Sequence, residues 1–230
     1  MVGFISGSSL NIWFMFSLFN MLKDDLLNGR NHFGFDWRLV FGPYIHANRN
    51  QLQDEFMQTE FEWLFMVDND MCFEPRDVWL LFEEAKKQGP GIYSAPYIIE
   101  DGYLVCGSWD AEVPMAYHNL VMLPEHPTEI GVVGAGFTLI HRNVFEAIGE
   151  KAFASIIATH GEDVSFCWRA REAGYTPVLV PECNPGHFKQ VTLYPDQSVR
   201  NMVNENVNLV QIDASHQEPL ETVGKGGDSK

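Results

Sequence analysis

Trp63–Val67 (WLFMV) is an unbroken apolar run that stops on Asp68-Asn69-Asp70. Five apolar residues without alternation fit a strand buried on both faces, the kind found in a sheet covered by helices. The chain around it alternates to match. Val2–Ser6, Trp37–Phe41 (read as buried), Ile92–Ala95, Val132–His141 (broken by Gly134 and Gly136) and Val178–Val180 are the other strand candidates. Between them, Gly7-Ser8-Ser9 supplies a turn and N-cap for an apolar helix that fades at Asn28-Gly29. Asn48–Gln58 follows as an amphipathic helix, with Leu52 and Phe56 four apart. Pro75 opens a helix whose Val78, Leu81, Phe82 and Ala85 repeat at helical spacing until Gly89-Pro90-Gly91. A short helix closes at Gly149, and Glu162–Ala173 closes at Gly174. The alternation predicts an α/β fold with a mixed, mostly parallel sheet and helices on both faces, in one domain. Residues 101–130 read as hairpins and loops. The domain is assigned to 1–212, and 213–230 reads as a disordered polar tail.

Acidic residues outnumber basic ones 31 to 15, for a net charge of -16. Such a surface repels phosphate backbones and excludes a general nucleic-acid binder, though not a nucleotide held through a divalent metal. Cys72, Cys106, Cys167 and Cys183 form no CxxC pair and read as reduced thiols of a cytoplasmic protein. Leu10–Leu22 is too short to span a bilayer, and no Lys or Arg precedes it as a signal peptide requires. Apolar on most of its circumference, it reads as a helix that is buried or forms an interface through which chains associate.

Three segments carry candidate chemistry. Asp68 and Asp70, half-buried at a strand end, repel each other unless a cation sits between them, and carboxylate oxygens suit Mg²⁺ or Mn²⁺. A solvated turn that caps the Pro75 helix would use the same residues. Glu162 and Asp163 open a helix, where acidic residues serve the dipole, and where a carboxylate could also accept a proton. His187 and Lys189 follow the last strand and could supply one metal nitrogen and one cation for a diphosphate. Gly134-Ala135-Gly136 is no dinucleotide fingerprint, because Leu139 stands at the third glycine's place. It puts small residues where a backbone could approach a ligand closely.

In this order, from about Val2 to Lys189, these segments resemble the GT-A glycosyltransferases of the family-2-like type, especially the small ones of phage and environmental genomes. Asn48-Arg49-Asn50 resembles the helix-start motif that meets the nucleotide, and WLFMVDND the strand ending in the metal-binding D-x-D. GAGFTLIHRNVFEAIG resembles the segment lining the sugar and acceptor side, GEDVSFCWRAREAGY the acidic motif with the catalytic base, and PGHFK the late metal-binding histidine. Nothing between Asp101 and Ile130 matches the family.

The resemblance implies transfer of a sugar from a nucleoside diphosphate sugar, most simply a UDP-sugar, to an acceptor hydroxyl. Asp68, Asp70 and His187 would hold Mn²⁺ or Mg²⁺, and Ser6, Arg49, Asp68 and Lys189 would contact the donor. Asp163, with Glu162 beside it, would act as base in an inverting displacement, and Trp109 would stack on the acceptor. That acceptor would be a saccharide, a protein or a hydroxymethylated pyrimidine of phage DNA in the host cytoplasm. His187 to about Arg200 is expected to be mobile until donor binds. The rival readings are a metal-dependent nucleotidyltransferase, which lacks its basic Gly-rich loop here, and a silent nucleotide-sugar-binding protein.

Overall fold

The computed structural model describes residues 1–7, 9–30, 36–99, 102–156 and 160–189. They belong to the first of two compact units, Met1–Gln190; the second, Val191–Lys230, lies outside the described residues, and with it the expected tail and the 212/213 boundary. In chain order the elements begin with β1 (Val2–Ser6), α1 (Ile12–Leu27), β2 (Trp37–Phe41), α2 (Ile45–Met57), β3 (Trp63–Asp68), β4 (Met71–Cys72) and α3 (Pro75–Gln88). Next come β5 (Ile92–Ser94), β6 (Cys106–Trp109), β7 (Tyr117–Asn119), β8 (Thr128–Glu129), β9 (Val132–Val133) and β10 (Phe137–His141). The series ends with α4 (Arg142–Ile148), α5 (Glu162–Glu172), β11 (Val178–Leu179) and β12 (Gly186–His187).

Seven strands form the main sheet in the order β2-β1-β3-β10-β5-β11-β8. β10 runs antiparallel to both its neighbours and β8 antiparallel to β11, while β2, β1, β3, β5 and β11 share one direction. Period-2 alternation splits β3 between two cores. Phe65 and Val67 pack with Phe14, Leu18 and Met21 of α1 and Val78 and Leu81 of α3. Leu64 and Met66 pack with Leu52 and Phe56 of α2, Phe145 of α4 and Phe166 of α5. Both faces are thereby covered, which is why β3 needed no polar alternation.

Four local expectations change. WRLVF forms a strand but lies at the sheet edge, with only Val40 buried. Without a second neighbour or full helix cover, its alternate residues face outward. The cap of α1 is Asn11, whose side chain accepts from the Trp13 N–H at 2.8 Å, and not the preceding serines. Helix α2 starts at Ile45, because the Asn48 amide donates to the Gly42 carbonyl and folds the Gly42-Pro43 turn onto the first helical turn. The 132–141 run is two strands in two sheets, β9 in the small sheet β7-β6-β9 and β10 in the main one, parted at Gly134–Gly136.

Helix α1 buries Phe14, Leu18 and Met21 and exposes Ile12, Trp13, Phe16 and Phe19 on the opposite side. Among the described residues no helix is long and apolar enough to cross a membrane, and the four cysteines are free.

Candidate active site

Chain connections reverse direction between β1 and β3: β1 leads through α1 to β2 on one side, and β2 returns through α2 to β3 on the other. Ligands of open α/β sheets bind outside the carboxyl ends of the strands at such a switch point. Here Ile5 pairs with Asp68, and a cleft of about 220 Å³ opens beyond them, lined by Ser6, Gly7, Gly42, Asn48, Asp68, Asn69 and Asp70 among others. The Ser6 hydroxyl donates to the Ser9 carbonyl at 2.8 Å and accepts from the Asn69 amide at 2.9 Å. Ser6 therefore pins the loop that forms the cleft wall.

Arg49 lies beneath this cleft with 2 % of its surface exposed. Its Nη2 donates to both oxygens of Asp68 at 2.9 Å, and its Nη1 to Glu162 Oε1 at 2.5 Å. One guanidinium thus ties the end of β3 to the start of α5. Burial works against the Arg49 charge, but Asp68 and Glu162 more than restore it, so the cation is held above its ordinary range. A guanidinium fork suits this bidentate task where an ammonium would not.

Asp70 faces a different set. Strand β12 pairs antiparallel with β4, placing His187 opposite Met71, and the Phe188 N–H donates to the Asp70 carbonyl at 2.7 Å. This ladder carries His187 Nε2 to 3.0 Å and Lys189 Nζ to 3.1 Å from Asp70 Oδ2. Burial pushes the Asp70 carboxyl up, and the hydrogen bonds and charges of His187 and Lys189 overcome it, leaving it below the usual carboxylate range. His187 Nδ1 lies 2.8 Å from the Ile98 carbonyl. A carbonyl only accepts, so Nδ1 carries the hydrogen, and Nε2 meets Asp70 either through a proton or as a lone pair for a cation.

Glu162 and Asp163 separate in environment. Glu162 is paired to Arg49, whereas the hydrogen bond described for the Asp163 carboxylate is a local one, from the Val164 N–H at 2.8 Å. Burial raises the Asp163 carboxyl, opposed by Arg49 and reinforced by the charges of Glu162 and Asp68. Gly161 permits this placement: a Cβ there would stand 2.6 Å from Asp163 Oδ1. A larger cleft of about 820 Å³ begins at Gly161 and His160 and is walled by Tyr103 and residues 116–121.

Several expected site residues are brought together and others are not. Asp70, His187 and Lys189 converge, as do Arg49, Asp68 and Glu162. Asp68 does not join Asp70 and His187: among the described residues no group of three His, Cys, Asp or Glu is arranged to hold a metal. Both oxygens of the Asp68 carboxylate are bonded to Arg49 instead. Trp109 packs edge-on against Trp168 at 5.2 Å and Tyr117 at 6.4 Å, one layer behind the larger cleft, and among the described residues its buried indole N–H has no hydrogen-bond partner. Of the segment expected to be mobile, His187 belongs to β12, and residues from 190 onward lie outside the described residues.

Tyr97 had no signal in the sequence. Its hydroxyl accepts from the Gly136 N–H at 3.1 Å, and its ring meets His187 edge-on at 5.4 Å. A Cβ on Gly136 would stand 2.8 Å from that hydroxyl and 2.9 Å from Asp68 Oδ2. What approaches the small residues of Gly134–Gly136 is therefore a tyrosine and a carboxylate of the site itself. Another hollow, of about 840 Å³, is lined by Glu62, Trp63, Trp79 and His141 at the opposite end of the strands and touches none of these groups.

No protein-family model matches the chain, and no curated protein matches it. Solved structures do. A197 from STIV superposes with a TM-score of 0.59 at 19% identity, covering 82% of this chain and 85% of that one. GalNAc-T7, solved with UDP, GalNAc and Mn²⁺, superposes with a TM-score of 0.56 at 14% identity, covering 83% of this chain and 44% of that one. The chain has a GT-A fold. At these identities the likeness concerns the GT-A fold alone, and this chain matches less than half the length of GalNAc-T7.

Proposed function

We propose that this GT-A chain is a metal-dependent glycosyltransferase that moves a sugar from a nucleoside diphosphate sugar, UDP-sugar foremost, to an acceptor hydroxyl. The observation that carries it is the meeting of His187 Nε2 and Asp70 Oδ2 at 3.0 Å, with Nδ1 committed to the Ile98 carbonyl. An imidazole oriented by its second nitrogen beside a carboxylate is a fitting pair of ligands for a divalent ion, with remaining positions left to diphosphate oxygens and water. Bound there, such an ion would supply charge neutralisation for the departing diphosphate.

The chain's own residues do the rest. Lys189 adds a cation on the diphosphate side. Asp68, held by Arg49 and lining the small cleft, receives a donor hydroxyl there. Asp163 takes the proton from the acceptor hydroxyl as that oxygen bonds to the anomeric carbon. The bond from that carbon to the diphosphate oxygen breaks, and its electron pair leaves with the nucleoside diphosphate. Inversion follows from this single displacement. Glu162, neutralising Arg49, has no such freedom.

The test is a panel of UDP- and GDP-sugars, each with and without Mn²⁺, read by melting temperature and by release of nucleoside diphosphate. A ligand that binds only the folded chain raises its stability by mass action. Metal-dependent stabilisation together with nucleotide release is expected. Release of pyrophosphate from a nucleoside triphosphate would instead identify a nucleotidyltransferase, and binding without turnover a silent binding protein.

A further inference from the structure

The larger cleft offers chemistry that distinguishes among acceptors. It is open, holds about 820 Å³, and is reached directly from Gly161, against which the Asp163 carboxylate rests. Burial raises the Tyr117 phenol, and the Asp163 charge adds to that rise. Tyr103 and Tyr117 present partly exposed rings, and His118, Asn119 and His160 bring hydrogen-bonding groups to the same wall. Two of these are held in place. His118 Nε2 meets Asp110 Oδ2 at 2.7 Å, and His160 Nε2 meets the Met115 carbonyl at 3.0 Å. Tyr117 is braced from behind by Trp109, which itself rests edge-on against Trp168.

No Lys or Arg is among the described residues that line this cleft. Nucleic-acid sites depend on such cations, since most of their affinity comes from phosphate contacts, and this chain carries a net charge of -16. Ring faces that cover the apolar C–H surface of a sugar, with amide and imidazole groups at the edge for its hydroxyls, suit a neutral polyhydroxylated ligand.

We propose that the cleft between Tyr117 and Gly161 binds a neutral saccharide, which presents its hydroxyl to Asp163, and that Tyr117 is its stacking platform. This assignment rests on the glycosyltransferase reading for the identity of Asp163 as base, but the binding itself can be measured without turnover. The full chain, with UDP and Mn²⁺ present, is examined by saturation-transfer NMR against lactose, maltotriose, cellotetraose and chitotriose. A single-stranded oligonucleotide containing 5-hydroxymethylcytosine and a Ser/Thr-rich peptide form the other two arms.

At least one saccharide is expected to bind, with Tyr117→Ala weakening it by roughly tenfold and Tyr117→Phe retaining it, since the ring and not the hydroxyl is the platform. The melting temperature of each free variant separates lost binding from lost folding. Preference for the oligonucleotide or the peptide, absence of saccharide binding, or equal affinity in wild type and Tyr117→Ala overturns the assignment. The shift in melting temperature caused by UDP and Mn²⁺ is read separately. Its absence defeats the donor reading and leaves the saccharide result standing.

Discussion

Glu162 and Asp163 are adjacent in the chain, yet Arg49 binds Glu162 at 2.5 Å while Asp163 has its carboxylate against Gly161, held by the N–H of Val164. Adjacent carboxylates with opposed environments are how a site separates a structural charge from a proton acceptor. Asp163→Asn keeps shape and cannot take a proton, so turnover should fall by about 10²–10⁴ while the melting shift caused by UDP and Mn²⁺ persists. Glu162→Gln should leave turnover within tenfold of wild type and lower the melting temperature instead. An inactive Glu162→Gln beside an active Asp163→Asn would exchange the two roles.

The raised Asp163 carboxyl also predicts a pH dependence. The proposed base would work only when ionised, so activity should rise with pH through a midpoint above the ordinary carboxylate range. Stability runs the other way. A carboxyl raised in the fold favours folding most below its unfolded pKa, and that contribution is lost as pH rises through the folded value. Asp163→Asn should therefore melt higher than wild type at neutral pH, with the difference shrinking in acid. A variant that melts lower at neutral pH would contradict the burial argument.

Arg49 sits between two carboxylates that are mostly shielded from water. Arg49→Met would leave Asp68 and Glu162 repelling each other without a cation, and breaking a buried pair from one side costs about 3–5 kcal/mol. Urea denaturation should show that loss as a lower midpoint. Arg49→Lys should recover only part of it, because one ammonium does not reproduce the fork that reaches both carboxylates. Wild-type stability in Arg49→Met would show that the network contributes nothing net.

Metal removal should abolish turnover and the UDP-induced melting shift together, and Mn²⁺ should restore both. Asp70→Asn and His187→Ala should each weaken the metal dependence of UDP binding, measured as the Mn²⁺ concentration giving half the shift. Full activity after EDTA treatment and dialysis would remove Asp70 and His187 from the proposed ligand set.

The strand-and-helix alternation, both faces of the sheet and the chemistry-bearing segments follow from local pattern alone. WLFMV must be buried on both faces, Pro75 must open a helix and Gly89 must close one, because those are properties of a few neighbouring residues. Which carboxylate does what is not such a property. Asp68 and Asp70 are two residues apart, yet one turns to Arg49 and the other to His187 and Lys189, partners supplied by α2 and by β12 with the residues that follow it, from distant parts of the chain. Tyr97 lies in a segment with no motif and reaches the site only because Gly136 leaves room for its hydroxyl. Hydrophobic periodicity is short-ranged and survives in the sequence, whereas charge pairing depends on which segments the sheet order brings to one end. That order, β2-β1-β3-β10-β5-β11-β8, comes into being only when the chain folds.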